Sequence, residues 1–328
     1  MTTAIRGWET VRLRGSRIEC EVVPGKGGDI LGARWLPRGV DLLWRSPWGL
    51  RRRASVPTGA TGPSAFLETY PGGWQTIFPN GGDPASLGGV EQPFHGEATL
   101  APWEWTQVDD AAIEMTTRLT RSPFHLRKRV TVRSAGIEVE ETILNEGRSP
   151  LDVMWSHHPA FGAPLLGPGC RIEAAATTFL ADDARDTPAG DLRPGATSEW
   201  PHAVARGSGT VDLRLMPDEA TPRDRFGYLL GFTEPRMALV NQALGLQVTL
   251  RWDLEVMPCA WYWLEAHATL GYPWYGAAYV LGLEPASSYP GQGLDAVRAK
   301  HGPLLRFAPG EERTAHVSLE VEELAASG

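Results

Sequence analysis

Short stretches in which apolar and polar side chains alternate recur along the whole chain, and they confine it to folds built from strands. Arg17-Ile18-Glu19-Cys20-Glu21-Val22 alternates, as do Val211-Asp212-Leu213-Arg214-Leu215, Leu246-Gln247-Val248-Thr249-Leu250-Arg251-Trp252 and Val317-Ser318-Leu319-Glu320-Val321. Successive side chains of a strand point to opposite faces, so each stretch can bury one face and wet the other. Val130 to Val132 and Ile137 to Leu144 read as a hairpin turning at Ser134-Ala135-Gly136. With 37 glycines and 27 prolines, turns are plentiful, while long helical patterns are scarce. Leu294 to Lys300 reads as two helical turns, ended by Gly302 and Pro303. Many short strands with few helices imply an all-β antiparallel sandwich or barrel. There is no internal repeat and no long polar linker, although 182–209 is loop-rich, so residues 1–328 are expected to form a single β-sandwich domain.

The charge balance narrows the partners. A net charge of -8 disfavours a nucleic-acid or anionic-membrane surface. The short basic run Arg51-Arg52-Arg53 fits a solvated loop. No stretch of about 18 apolar residues marks a membrane span, and MTTAIRGWET lacks the apolar run of a secretory signal. Cys20, Cys170 and Cys259 are far apart and form no Cys-x-x-Cys, which suggests reduced thiols and a cytoplasmic setting. The 13 tryptophans serve either as core packing or as flat platforms for the apolar face of a sugar.

Two adjacent histidines raise the first chemical question. Leu151-Asp152-Val153-Met154-Trp155-Ser156-His157-His158 reads as one strand closed by Pro159. Leu151, Val153, Trp155 and His157 would then share an apolar face, with Asp152, Met154, Ser156 and His158 on the other. The pair cannot chelate one metal from a single strand. His158 is the candidate for chemistry, and His157 reads as a core or edge histidine. In 279–293, Ala278, Val280, Gly282 and Glu284 share a face and Pro285 ends the run. Burial of a carboxyl there would raise its pKa and suit Glu284 to proton transfer; otherwise it is a rim glutamate in water. A rival pair sits in 261–267, where Trp261, Trp263, Glu265 and His267 fall on one face.

The loop GGWQTIFPNGG (72–82), followed by QPFHGE (92–97), has the composition of a site mouth, with Gln75, Asn80 and His95 as its polar groups. His95 either partners a sugar hydroxyl or caps a turn. PGKGGDILG (24–32) lacks both phosphate-loop spacing and a following helix, so a tight turn between strands is expected. The histidines lack metal-ligand spacing, and there is no GxSxG elbow.

In their order along the chain, Asn80 in a PNGG loop, His95-Gly96, His158-Pro159-Ala160-Phe161 and Leu283-Glu284 resemble the aldose 1-epimerase (galactose mutarotase-like) family. PFHLRKRVTVRSAGIEVEETILNEGRSPLDVMWSHHPAFG (123–162) looks like that family's central sheet, and GGDILGARWLPRGVDLLW (27–44) like its opening. The resemblance implies a large antiparallel β-supersandwich with few short helices. It implies an isomerase that interconverts the anomers of a free or modified sugar by ring opening, with Glu284 as base and protonated His158 as acid on opposite sides of the ring. It places His95 as a substrate contact, which the loop composition extends to Gln75 and Asn80 as expected substrate-binding groups, and no cofactor or metal is needed. Two positions depart from the pattern. Gly81 stands where the family has arginine, and Asp224 is a loose match for its substrate-binding aspartate. A glycoside- or uronate-active enzyme using another pair, such as Glu265 with His267, and a non-catalytic sugar-binding protein share the same expected fold.

Overall fold

The computed structural model describes residues 2–55, 57–59, 63–167 and 169–325. The alternating stretches form two large antiparallel sheets, one 12-stranded and one 8-stranded, with three two-stranded ribbons beside them. The larger sheet carries, in chain order, β1 (Asp29–Trp35), β2 (Trp74–Ile77), β3 (Ser156–Phe161), β4 (Arg223–Leu230), β5 (Cys259–Ala266) and β6 (Tyr279–Ala286). Their spatial order is β1-β2-β3-β6-β5-β4. Strands remote in sequence are therefore brought side by side. The hairpin turning at 134–136 lies in the smaller sheet, between Phe124–Val132 and Gly136–Asn145. The expected helix runs from Leu294 to Ala299. A second short helix, Ser64–Leu67, has no clear signal in the sequence. Gly27 and Gly28, both at positive φ, turn the chain into β1 as the turn reading of 24–32 expects.

The sheets pack their apolar faces together, and Trp35, Trp155, Phe78, Phe124 and Phe307 are fully buried between them. This β-sandwich is all-β in class, as the alternation implied.

One expected strand is in fact two. Leu151–Val153 pairs with Leu305–Phe307 in a separate ribbon, while β3 begins at Ser156 in the large sheet. The break falls where Met154 N–H bonds Pro79 O (2.9 Å) and Trp155 N–H bonds Ser287 Oγ (2.9 Å), both outside any ladder. Pro159 does not close the strand either; β3 continues through it to Phe161. Pairing of β3 with β6 is present at Ser156 and again at Ala160 and Phe161, with no ladder pair between. A proline lacking N–H is tolerated where the ladder is already open. Similarly, β6 extends one residue past Pro285.

The two histidines face opposite ways, as alternation requires. His157 is buried toward the second sheet. Its Nδ1 accepts from Trp74 Nε1 (3.0 Å), and Nε2 lies 3.3 Å from Glu141 Oε2 without hydrogen-bond geometry. Glu141 also meets Lys128 Nζ at 3.0 Å and accepts from Thr76 Oγ1 and Trp155 Nε1. Burial works against ionisation of Glu141, but Lys128 and His157 outweigh it and hold its pKa below the usual carboxylate range. A second buried pair, Lys26 with Asp29, lies 2.5 Å apart. His157 is thus a core histidine, tied into a charged cluster inside the sandwich.

Candidate active site

On the opposite face of β3, His158 looks into a cavity of about 410 Å³. Ser156 opposite Ala286 and Ala160 opposite Gly282 bring His158 level with Glu284 on β6. Nε2 of His158 lies 3.5 Å from Oε1 of Glu284, and both residues are almost fully buried. Gly282 makes room for this carboxylate: a Cβ there would sit 2.5 Å from Glu284 Oε1. The same strand face carries Val280 and Ala278, while Leu281 and Leu283 enter the main core.

Burial sets the charge states. It raises the Glu284 pKa well above the ordinary value and lowers that of His158 to about 4. Burial thus favours the neutral form of both groups, the carboxylic acid of Glu284 and the uncharged imidazole of His158. A protonated His158 in the resting site, expected from the sequence, is not what this environment favours. The hydroxyl of Tyr70 lies 3.3 Å from His158 Nδ1. Burial and the nearby Glu284 and Asp29 keep that hydroxyl protonated. A Tyr70 hydroxyl that accepts from Nδ1–H leaves Nε2 as the nitrogen facing Glu284.

His95 joins the same cavity, its ring centroid 5.7 Å from that of His158. Its Nδ1 accepts from the Gly82 N–H (3.0 Å), and burial, with a smaller effect from His158, drives its pKa well below normal. His95 is thus neutral, with its proton on Nε2 as a donor. The turn and the site use one histidine: Nδ1 fastens the loop and Nε2 remains.

Gln75 and Asn80 do not line this cavity. Gln75 pairs with His158 across β2 and β3, yet it is fully buried and its amide is bonded to Gly72 O (2.7 Å). Asn80 is spent on the loop: Nδ2 donates to Asp83 O (2.8 Å) and Pro93 O (3.2 Å), and Oδ1 accepts from Leu294 N–H (2.9 Å). Both were expected at the mouth because polar residues among glycines and prolines are commonest on exposed loops. Here the same composition staples a buried turn.

The rival pair does not assemble. Glu265 is fully buried and accepts from Ala268 N–H (2.7 Å), Thr269 N–H (2.9 Å) and Thr269 Oγ1 (2.6 Å). His267 lies beyond the end of β5 at positive φ, facing Gly276 O (2.8 Å) and stacked on Tyr279. Neither lines the cavity.

Aromatic side chains supply the walls. Trp261, Trp263, Trp274, Phe66, Phe94 and Phe226 all border the cavity. Trp35 and Trp155, by contrast, lie in the core between the sheets. Gly81 explains one departure from the family pattern. A Cβ there would lie 2.8 Å from Trp261 Cη2 and 3.3 Å from Met154 Cε, so the indole fills the space an arginine would need. Asp224 is buried on β4 and is held 2.8 Å from Arg185 Nε, behind the lining rather than in it. Arg185, Asp83 and Asp182 form the polar end of the cavity. The sequence marks none of the three, because each lies in a loop without a periodic pattern. Among the described residues, no group of three or more His, Cys, Asp or Glu side chains is placed to hold a metal, and no helix is long and apolar enough to cross a membrane.

A two-sheet sandwich with this cleft across its larger sheet is a galactose mutarotase-like fold. It superposes on a galactose mutarotase-like protein from Clostridium acetobutylicum with a TM-score of 0.64 (15% identity, 99% of this chain and 98% of that one). A protein from Synechocystis sp. PCC 6803 gives 0.69 (18% identity, 96% of each chain). A candidate aldose 1-epimerase from Escherichia coli K12 gives 0.64 (18% identity, 96% and 99%). Residues 5–205 and 232–321 match the family described as "Domain of unknown function (DUF4432)", and the chain belongs to that family. No curated protein matches it.

Proposed function

We propose that this protein is a mutarotase-like isomerase that interconverts the anomers of a sugar by acid–base ring opening. The observation that carries this reading is the buried His158–Glu284 pair, an imidazole and a carboxyl 3.5 Å apart at the floor of an aromatic-walled cavity. Ring opening takes a proton from the C1 hydroxyl and gives one to the ring oxygen. Both oxygens are bonded to C1. Two groups side by side on one floor can therefore serve both, whereas nothing the size of a ring fits between groups this close. The arrangement on opposite sides of the ring is accordingly replaced by one in which the pair meets one edge of the sugar.

The steps balance without further reagents. Bound hydroxyls that donate to Glu284 favour its ionised form, and its proton passes to His158 across the short gap. Glu284 then takes the C1 hydroxyl proton while His158 protonates the ring oxygen. The C1–O bond to the ring breaks and a carbonyl forms. Rotation about C1–C2 presents the other face, and the reverse transfers close the ring. Each positioned proton transfer contributes roughly 10²- to 10⁴-fold. His95 Nε2–H is placed as a donor to a sugar oxygen, and the indoles of Trp261 and Trp263 offer apolar surface to the ring.

Magnetisation-transfer NMR on a panel of free, phosphorylated and acidic sugars tests the reading. It requires accelerated exchange for at least one sugar, lost in both Glu284→Gln and His158→Asn. Saturable binding of a sugar with no acceleration would instead identify a sugar-binding protein of the same fold.

A further inference from the structure

Arg185 enters the cavity from the loop after the Thr178–Ala181 strand. Its backbone N–H bonds Asp182 Oδ1 (2.8 Å), and its guanidinium passes over the Phe226 ring, 5.9 Å from the centroid. Nε donates to Asp224, a buried carboxylate on the rigid strand β4, at 2.8 Å. The two Nη nitrogens make no hydrogen bond among the described residues. The nearest ion-pair partner on that side is Glu265, with Oε2 4.0 Å from Nη2, and Glu265 already accepts three short hydrogen bonds. A guanidinium fixed through Nε and open at its Nη edge presents donors in a rigid fork.

The charges around it decide what that fork can read. Asp224 and Glu265 stand against the guanidinium, and Asp83 and Asp182 line the same end of the cavity. Asp182 is saturated by Ala184 N–H, Arg185 N–H, Tyr228 Oη and Gln292 Nε2. The Asp83 carboxylate makes no hydrogen bond among the described residues. A phosphate or carboxylate brought to Arg185 would meet acidic groups whose charge already offsets the arginine. Sugar hydroxyls can accept from Nη–H and can donate to Asp83, since both side chains border the cavity.

We propose that Arg185 is a substrate-binding residue that reads neighbouring hydroxyls of an uncharged sugar, with Asp83 as the companion acceptor. This rests on the mutarotase reading for the reaction, but the binding role stands apart from it. Asp224 is a positioning residue: it holds Nε and does not reach the cavity itself.

The test compares wild type with Arg185→Met and Arg185→Lys. The probes are D-glucose, D-galactose, their 6-phosphates and the corresponding uronates. Exchange is followed by NMR over a concentration series, binding by calorimetry and folding by thermal unfolding. For the best uncharged sugar, Arg185→Met should raise KM roughly tenfold or more, the loss of one charged hydrogen bond, while kcat falls much less. Arg185→Lys, which keeps the charge without the fork, should recover only part and serves if the methionine variant does not fold. An unchanged KM in both variants, with exchange intact, would remove Arg185 from the site and leave the mutarotase reading standing. A wild-type preference for a phosphate or uronate, abolished in Arg185→Met, would overturn the uncharged class. With no exchange of any sugar the mutarotase reading fails, and calorimetry then decides: aldose binding lost in Arg185→Met supports the inference, and binding retained or absent overturns it.

Discussion

Nε2 of His158 and Oε1 of Glu284 lie 3.5 Å apart on neighbouring strands, on the face of the large sheet turned away from the core between the sheets. The ladder between those strands is open at this level, and a proline occupies the gap. Two groups that each resist charge are thereby held close enough to share one proton.

Removing either member should abolish exchange without unfolding the chain. Glu284→Gln and His158→Asn are each expected to lower kcat by about 10²- to 10⁴-fold. His267→Asn, at a positive-φ position that asparagine tolerates, should leave exchange near wild type. A large loss in His267→Asn with none in His158→Asn would move the chemistry to the other histidine.

The pH profile of kcat/KM should show its acid limb near pH 4, where His158 takes a second proton onto the pair, and not near the ordinary histidine value. The alkaline limb should report loss of the shared proton, displaced upward by the raised Glu284 pKa. The sign for stability is opposite on the two sides. His158 is lowered, so folding weakens as pH falls from the unfolded histidine value toward 4. Glu284 is raised, so folding weakens as pH rises above the unfolded carboxyl value toward its folded one. An acid limb near 6.5 would mean that the working imidazole is solvated.

Gly81→Ala should cost about 1–3 kcal/mol, because its Cβ meets the Trp261 ring edge and the flank of Met154. Denaturant unfolding reads the loss. Gly81→Ala combined with Trp261→Phe should recover part of it, since the smaller ring clears the contact. Additivity of the two would show that they do not touch in solution.

Breaking the buried cluster behind the site should be costly. Glu141→Gln removes the carboxylate that faces buried Lys128, and a loss of about 3–5 kcal/mol is expected. Lys128→Met with Glu141→Leu removes both charges and should be milder than the single change. Thermal unfolding of the three proteins checks the order.

Much of the geometry of the candidate site is legible in strand alternation. Period two separates His157 from His158 and puts Glu284 on the face of Val280, because the polypeptide pleat allows nothing else. Local composition misled at Gln75 and Asn80, where polar groups read as a site mouth are consumed by Gly72, Asp83 and Pro93 carbonyls. Alternation also ran two strands into one at 151–158, because it says nothing about which sheet a strand joins.

By itself, then, the sequence determined the class of fold and the opposite facing of His157 and His158, and it singled out His158 and Glu284 as candidates. These follow from side-chain period and turn chemistry, which are local. The tertiary structure alone decided that strands more than a hundred residues apart lie side by side, that burial raises the Glu284 pKa, and that Trp261 occupies the space beside Gly81. It also brought Arg185 to the cavity from a loop without a pattern, pinned by Asp224. Solvation, through-space charge and steric exclusion depend on what the completed fold places next to a residue, and no local period encodes that.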